Sequence, residues 1–505
     1  MLSADGLLVL GLVVEGSWLS AGSLLHLLLF LSVCLHCLRY RRDADSTLLW
    51  IVISWSLPFV GPALYAAFGV YRVQRKGWQK ECSNRELLSA RQTHASEILP
   101  LSYWQGLHDA VAGEPSSSLA RELNRVMDPL LPDYPLLGGN DVQPLVTGDE
   151  AYPLMLDSIR SAQHHVHLQS FIIGNDRVGR QFLELLAEKA GEGVAIRLLY
   201  DSFGSTHAFF GGLFRKYRGI KNFQLCGWTQ ANLFKRQFQF NLRNHRKLLV
   251  VDGRSAFAGG VNLSESEMTH DGAPAIRDYH FAIRGPIVRE LQYSFMRDWY
   301  YMTDENPEAL LQADHFPVIA PQGTAYMRLV NGGPSSEMET IADVLFTCIA
   351  MARKQLLAVT PYFVPTVDIL RALRVAALRG VDVRLVVPKE NNHFYAGLAG
   401  KALYEELLTA GVHIFERQPP FIHSKALIVD DVTALAGTAN LDVRSLRLNY
   451  ETNLVIHDDV LVNRLKGIIL GEIALSTELN LHEWRQRSKG RRLMENFCSL
   501  LTPIL

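Results

Sequence analysis

Two histidine–lysine pairs, His245 with Lys247 and His423 with Lys425, have the residue types and spacing to act on a phosphate. Side chains of an extended chain alternate in direction, so a histidine and a lysine two apart point to one side. The lysine offers a compact positive charge to a phosphate oxygen, and imidazole near neutral pH serves as nucleophile or proton carrier. Both pairs lie in runs that repeat in register. HRKLLVVDGRSAFAGGVNLSE starts at His245 and HSKALIVDDVTALAGTANLDV at His423, so Asp252 with Asp430, Gly259 with Gly437 and Asn262 with Asn440 share the offset of 178 given by 423 less 245. A lone histidine in an apolar strand is more often a hydrogen-bonded core residue. The duplication at constant spacing reverses that presumption.

Two imidazoles on opposite sides of a phosphodiester permit in-line displacement. One must be neutral to attack phosphorus, and the other protonated to release the leaving alcohol and then take the acceptor's proton. Lys247 and Lys425 would clamp the equatorial oxygens, with Asn262 and Asn440 as amide donors and Ser264 adding a hydroxyl. That charge stabilisation requires no metal and no other cofactor. A nucleophilic histidine benefits from a carboxylate on its far nitrogen, and Asp278 in RDYH and Glu451 in NYETN are placed for this. Asp252 and Asp430 stand at strand ends, where they suit tying down a turn better than touching substrate. His164, His165, His207, His270, His280, His393 and His482 follow no such pattern and read as surface or core residues.

Each copy has the same surroundings. VHLQSFII from Val166, the helix-like QFLELLAEKAGEG and VAIRLLYD ending at Asp201 precede the first motif; QLLAVTPYFV from Gln355, DILRALRVAALRG and VDVRLVVP ending at Pro388 precede the second. Strand, helix, strand in both copies predicts α/β units whose sheets are covered by helices. KLLVVD and KALIVD read as short buried strands bounded by turns.

At 505 residues with 48% hydrophobic content the chain exceeds what one core usually holds, so two globular units are expected. A net charge of −1 excludes a global basic footprint for nucleic acid. Six cysteines without paired framework spacing exclude a disulfide scaffold, and the Cys34–Cys37 pair reads as small thiols in an apolar run. Residues 18–38 and 47–70 are each apolar enough to cross a bilayer, with Pro58 and Pro62 expected to kink the second. Two crossings return the chain to the face of its N-terminus, and the unpaired cysteines favour the cytoplasmic one. The expected organisation is a membrane anchor over 1–76, a polar connector over 77–100, and halves over 101–315 and 316–505. Aromatic and basic residues mixed between Ala208 and Phe240, and a basic tail after Trp484, suit contact with anionic headgroups.

The two HxKxxxxD motifs resemble those of the phospholipase D superfamily. Within it the chain is similar to bacterial cardiolipin synthases in its paired apolar segments, NLRNHRK around His245, FMRDWY near Trp299, TPYFVP near Tyr362 and GTANLDVRSLRLNYE ending at Glu451. The resemblance implies two similar α/β/α halves forming one active site, preceded by a transmembrane helical hairpin. It counts His245, Lys247, Asp252, His423, Lys425 and Asp430 as catalytic motif residues, with His245 the nucleophile and His423 the acid/base. It implies a bacterial inner-membrane enzyme that joins two phosphatidylglycerol molecules into cardiolipin and glycerol, with the bilayer and anionic phospholipid as partners and no nucleic acid. A phospholipase D hydrolase or other headgroup exchanger is the alternative, and a superfamily nuclease is further off. Two features depart from the pattern: Asp431 stands where the first copy has Gly253, and APAIRD lacks aromatic residues before its Arg-Asp.

Overall fold

The computed structural model describes residues 4–39, 44–66, 72–98, 114–228, 242–334 and 337–500. It forms two compact units, Met1–Arg75 and Lys76–Leu505.

In the first unit the apolar N-terminal run is a helix over Ala4–Arg39, of which Ala21–Arg39 is long and apolar enough to cross a membrane. The second apolar run is broken, not merely kinked. Its helix Ala44–Ser56 stops before Pro58, and a short helix Val60–Leu64 follows Phe59, whose φ is 61°. Proline lacks the N–H that would continue the ladder and clashes with the preceding turn. Residues 67–70 of the expected span lie outside the described residues. Trp55 packs edge-on against Phe30, and Tyr65 joins His36 at 2.7 Å beside the buried Cys37. Cys34 and Cys37 are both free thiols.

The second unit is a mixed α/β body. Its first half supplies β1 (Leu137–Val146), β2 (His165–Ser170), β3 (Ala195–Tyr200), β4 (Phe223–Gly227), β5 (Leu248–Val251), β6 (Ser255–Gly259) and β7 (Tyr279–Arg284). The second supplies β8 (Ala325–Gly332), β9 (Gln355–Val359), β10 (Phe363–Val364), β11 (Asp382–Pro388), β12 (His413–Arg417), β13 (Ala426–Val429), β14 (Thr433–Gly437), β15 (Leu441–Asp442), β16 (Glu451–His457) and β17 (Ser476–Glu478). One fifteen-stranded sheet runs β17-β12-β11-β9-β13-β14-β16-β8-β1-β7-β6-β5-β2-β3-β4, and β10 pairs with β15 separately. Outward from the central antiparallel β1–β8 pair, each side repeats one series, so the halves are related by an approximate twofold. The halves share one sheet, and each covers an edge the other would leave open.

The strand–helix–strand reading holds in both copies. Helix Arg177–Gly191 crosses between the parallel β2 and β3, and helix Val367–Leu378 between the parallel β9 and β11. Phe182 and Leu186 of the first helix pack on Leu168, Ile196 and Leu198 of the sheet, all buried. The polar connector is itself helical, Arg72–Ile98, and its Lys80 and Arg91 pair with Asp298 at 2.8 Å and Glu290 at 2.7 Å.

The hairpins after each motif strand have positive φ at both central residues, 52° and 62° at Asp252 and Gly253, 48° and 60° at Asp430 and Asp431. Each turn is closed by one backbone bond, from Arg254 to Val251 at 3.0 Å and from Val432 to Val429 at 3.1 Å, and a turn of this hand places its central residues in the left-handed region, which aspartate visits more readily than most side chains. The departure at Asp431 therefore leaves the turn unchanged. The carboxylate of Asp252 accepts the N–H groups of Gln163, His164 and His165, and that of Asp430 those of Arg353, Lys354 and Gln355. Both motif aspartates fasten their turn to the start of the neighbouring strand.

Candidate active site

The two motif histidines are brought together by a crossing of the halves. The N–H of His245 donates to the carbonyl of Tyr450 at 2.9 Å, and Tyr450 returns a bond to the carbonyl of Arg243. In the mirrored arrangement the N–H of His423 donates to Arg277 at 2.7 Å, and Arg277 donates to Phe421. Each histidine segment is thus fixed to the residue just before the other half's carboxylate. β5 and β13 begin only after the lysines, at Leu248 and Ala426, so the His-x-Lys segments precede their strands, contrary to the sequence reading. The backbone N–H of each histidine goes to the opposite half.

The side chains then pair crosswise. His245 Nδ1 lies 2.9 Å from Glu451 Oε2, and His423 Nδ1 lies 2.7 Å from Asp278 Oδ2. Both carboxylates are completely buried. Glu451 Oε1 also accepts from Ser445 Oγ and Asn449 Nδ2. A Cβ at Gly260 would lie 2.0 Å from Asp278 Oδ1, so this position of the GGVN turn must stay bare for Asp278 to approach. His423 Nδ1 is also 2.7 Å from Lys425 Nζ, a donor that only an unprotonated nitrogen accepts. Lys425 has two other acceptors, Asp278 at 3.1 Å and the carbonyl of His423. We therefore assign Nδ1–H to the bond with Asp278, which leaves Nε2 as the free nitrogen of the ring.

Burial depresses both imidazoles: His245 falls below its ordinary value although Glu451 supports its charge, and His423, with Lys425 adding to burial, falls to about 4. Both shifts favour the neutral ring. Burial works against ionisation of Asp278, but Lys425 and His423 outweigh it and hold the carboxyl at about 2. Lys247 is brought down to about 7 by burial, with Lys425 adding to it.

One cleft of about 1060 Å³ is lined by His245, His423, Asn262 and Asn440 together. The edge of Phe171 meets His245 at 4.9 Å and that of Tyr362 meets His423 at 6.1 Å. The lysines are not among the lining residues. Lys247 Nζ donates to the carbonyl of His245 at 2.8 Å, and both lysines are buried. Ser264 Oγ donates to Asp176 at 3.0 Å. Asn262 Nδ2 donates to Glu267 and Asn440 Nδ2 to Ser445, which fixes both amides.

The family described as "Cardiolipin synthase, PLD-like domain" matches residues 155–299 and 345–469, one segment for each half. The chain belongs to this cardiolipin synthase family. A cardiolipin synthase of Geobacillus thermodenitrificans (strain NG80-2) is 33% identical over 475 residues, 92% of this chain and 90% of its own length. Cardiolipin synthase A of Pseudomonas fluorescens (strain SBW25) is 33% identical over 476 residues, 93% and 95% of the two chains. Residues 28–69 match the family described as "Phospholipase_D-nuclease N-terminal". The crystal structure of phosphatidylserine synthase from Haemophilus influenzae Rd KW20 shares the fold at a TM-score of 0.58 and 14% identity, covering 76% of this chain and all of that one.

Several cleft residues of this cardiolipin synthase family member escaped the sequence reading because they lie outside the repeat. His393, read as surface or core, lines the cleft together with Asn392, whose Oδ1 accepts from Tyr362 OH at 2.8 Å. Arg243 and Arg444 also line it. Glu267, buried beside Asn262, is raised to about 7 by burial and by Asp278. Of the aromatic residues before the first motif, Phe214 and Trp228 fill the core and Phe210 is exposed; Phe234, Phe238 and Phe240 lie outside the described residues.

Proposed function

We propose that this chain moves a phosphatidyl group from one phosphatidylglycerol to the terminal hydroxyl of a second, giving cardiolipin and glycerol. The reading is carried by the two crosswise histidine–carboxylate pairs opening into one cleft. Nε2 of His245 attacks phosphorus, the P–O bond to the glycerol headgroup breaks, and Nε2–H of His423 gives its proton to the departing glycerol oxygen. The second lipid's hydroxyl then loses its proton to His423 and attacks the phosphohistidine. The P–N bond breaks and returns its electron pair to His245. A diester anion between the rings offsets the field of the two lysines, so His423 takes up its proton together with substrate. Asn262 and Asn440 donate to the phosphoryl oxygens as charge develops.

Lipid as the substrate is supported by the rim of the cleft, where Phe203, Phe394, Met494 and Phe497 are each more than half exposed. Apolar side chains in that position suit acyl chains and not a polynucleotide. The apolar N-terminal segment anchors the enzyme in the bacterial inner membrane by two crossings, with the cleft on the cytoplasmic side. Purified full-length enzyme in phosphatidylglycerol vesicles should form cardiolipin and glycerol in equal amounts, read by mass spectrometry. Phosphatidic acid as the main product would replace this reading with hydrolysis.

A further inference from the structure

Both lipids of the proposed reaction carry a phosphodiester, and the histidine pair accommodates only the one being cleaved. The acceptor's phosphate must then enter a mostly apolar cleft with its charge, which needs a matching cation. On the reading above, the geometry points to Arg243 and Arg444 as the seat of the acceptor lipid's phosphodiester.

Arg243 and Arg444 line the cleft that holds both histidines, and no lysine is among its described lining residues. They come from opposite halves, as the histidines do. Arg243 is two residues from His245, and its carbonyl is tied to the N–H of Tyr450 at 2.9 Å, so it is held rigidly relative to the proposed nucleophile. Its guanidinium stacks 3.9 Å from the centre of the Phe203 ring, which fixes its plane while Phe203 itself stands at the rim. Arg444 lies in the first turn of helix Val443–Arg447. Asp201 accepts the N–H groups of Phe203, Gly204 and Asn244, and Asp442 caps the helix at Ser445, so both carboxylates beside the arginines are held in place. Burial and the charge of Arg444 both disfavour the charge of Arg243, with Asp201 opposing them. An anion bridging the guanidinium groups relieves that repulsion, and planar guanidinium is suited to two-pronged contact with phosphate oxygens. Water and free glycerol carry no phosphate and gain nothing from this seat, so it selects an anionic lipid as acceptor over small alcohols.

The test uses full-length enzyme in vesicles of phosphatidylglycerol with labelled free glycerol in solution, scoring cardiolipin against label exchanged into phosphatidylglycerol. Arg444→Gln and Arg243→Gln should lower the cardiolipin-to-exchange ratio by about tenfold to a hundredfold, the loss of one or two charge-assisted contacts. Arg444→Lys should recover part of the ratio and guards against a folding defect, which thermal melting of each variant reads separately. An unchanged ratio, or an equal fall of both products in folded variants, overturns the seat. A parent enzyme that exchanges glycerol but never makes cardiolipin overturns the proposed function itself, a different result.

Discussion

His245 meets Glu451 at 2.9 Å across 206 residues of chain, and Asp278 meets His423 at 2.7 Å in the reverse sense. Neither half contains a complete histidine–carboxylate pair. Half of this enzyme therefore has no partial active site to keep.

Replacing Glu451 with Gln keeps the shape but removes the charge that fixes the His245 tautomer and supports its cation. The expected loss in kcat is about 10²- to 10⁴-fold, the range seen when a histidine loses its orienting carboxylate, with KM little changed. Asp278→Asn should do the same through His423. Steady-state rates with phosphatidylglycerol vesicles decide it, and turnover within threefold of the parent would leave the pairing a merely structural contact.

Donor labelled at its phosphate should leave an alkali-stable, acid-labile label on His245 after rapid quenching. His245→Ala should carry none. Mapping the label to His423 by peptide mass spectrometry would exchange the two histidine roles.

The profile of kcat/KM against pH reports the free enzyme. Because burial holds His245 below the ordinary histidine value despite Glu451, its neutral, attacking form persists through pH 6.5 and is lost only at lower pH. Lys247, at about 7 through burial and Lys425, loses its charge as pH rises through that value, so the rate should decline on the alkaline side. Lys247→Arg, which stays charged, should move that alkaline limb upward. A limb that does not move in an active, folded variant would remove Lys247 from it.

Asp252→Ala and Asp430→Ala each strip a carboxylate from three backbone N–H groups. At these partly exposed sites water replaces some of the loss, and destabilisation of about 1–3 kcal/mol is expected. Thermal melts in detergent should shift down while kcat per folded molecule stays within a few-fold. A catalytic collapse without a melting shift would return the aspartates to the chemistry.

Lys80→Met breaks the buried Lys80–Asp298 pair, although Arg246 still lies 2.8 Å from that carboxylate. About 2–4 kcal/mol of stability should be lost, below the usual penalty for a stranded buried charge because one partner remains. Limited proteolysis should cut the helix Arg72–Ile98 sooner than in the parent. An unchanged melt and digest would mean that the helix is held by other contacts.

The repeat made much of this architecture legible. Strand and helix periodicities located β2, β3, β9, β11 and the crossover helices because each is a local pattern of one face buried against a sheet. Asp278 and Glu451 were recognised as histidine partners from residue type and proximity to the motifs, but nothing in a linear spacing says to which histidine each belongs. Arg243 and Arg444 lie in the NLRNHRK and GTANLDVRSLRLNYE segments but do not recur between the copies, and His393 lies in a segment that differs between them, so the repeat singled out none of the three.

What the amino-acid order alone determined is the inventory of reacting groups and the two-copy plan, both written in short repeating runs whose meaning is local. The tertiary structure decided the crossing: β1 pairing with β8 turns the halves so that each imidazole faces the other's carboxylate. That choice depends on two distant edges closing one sheet and on buried charges finding partners, energies that belong to the assembled body and to no segment of it.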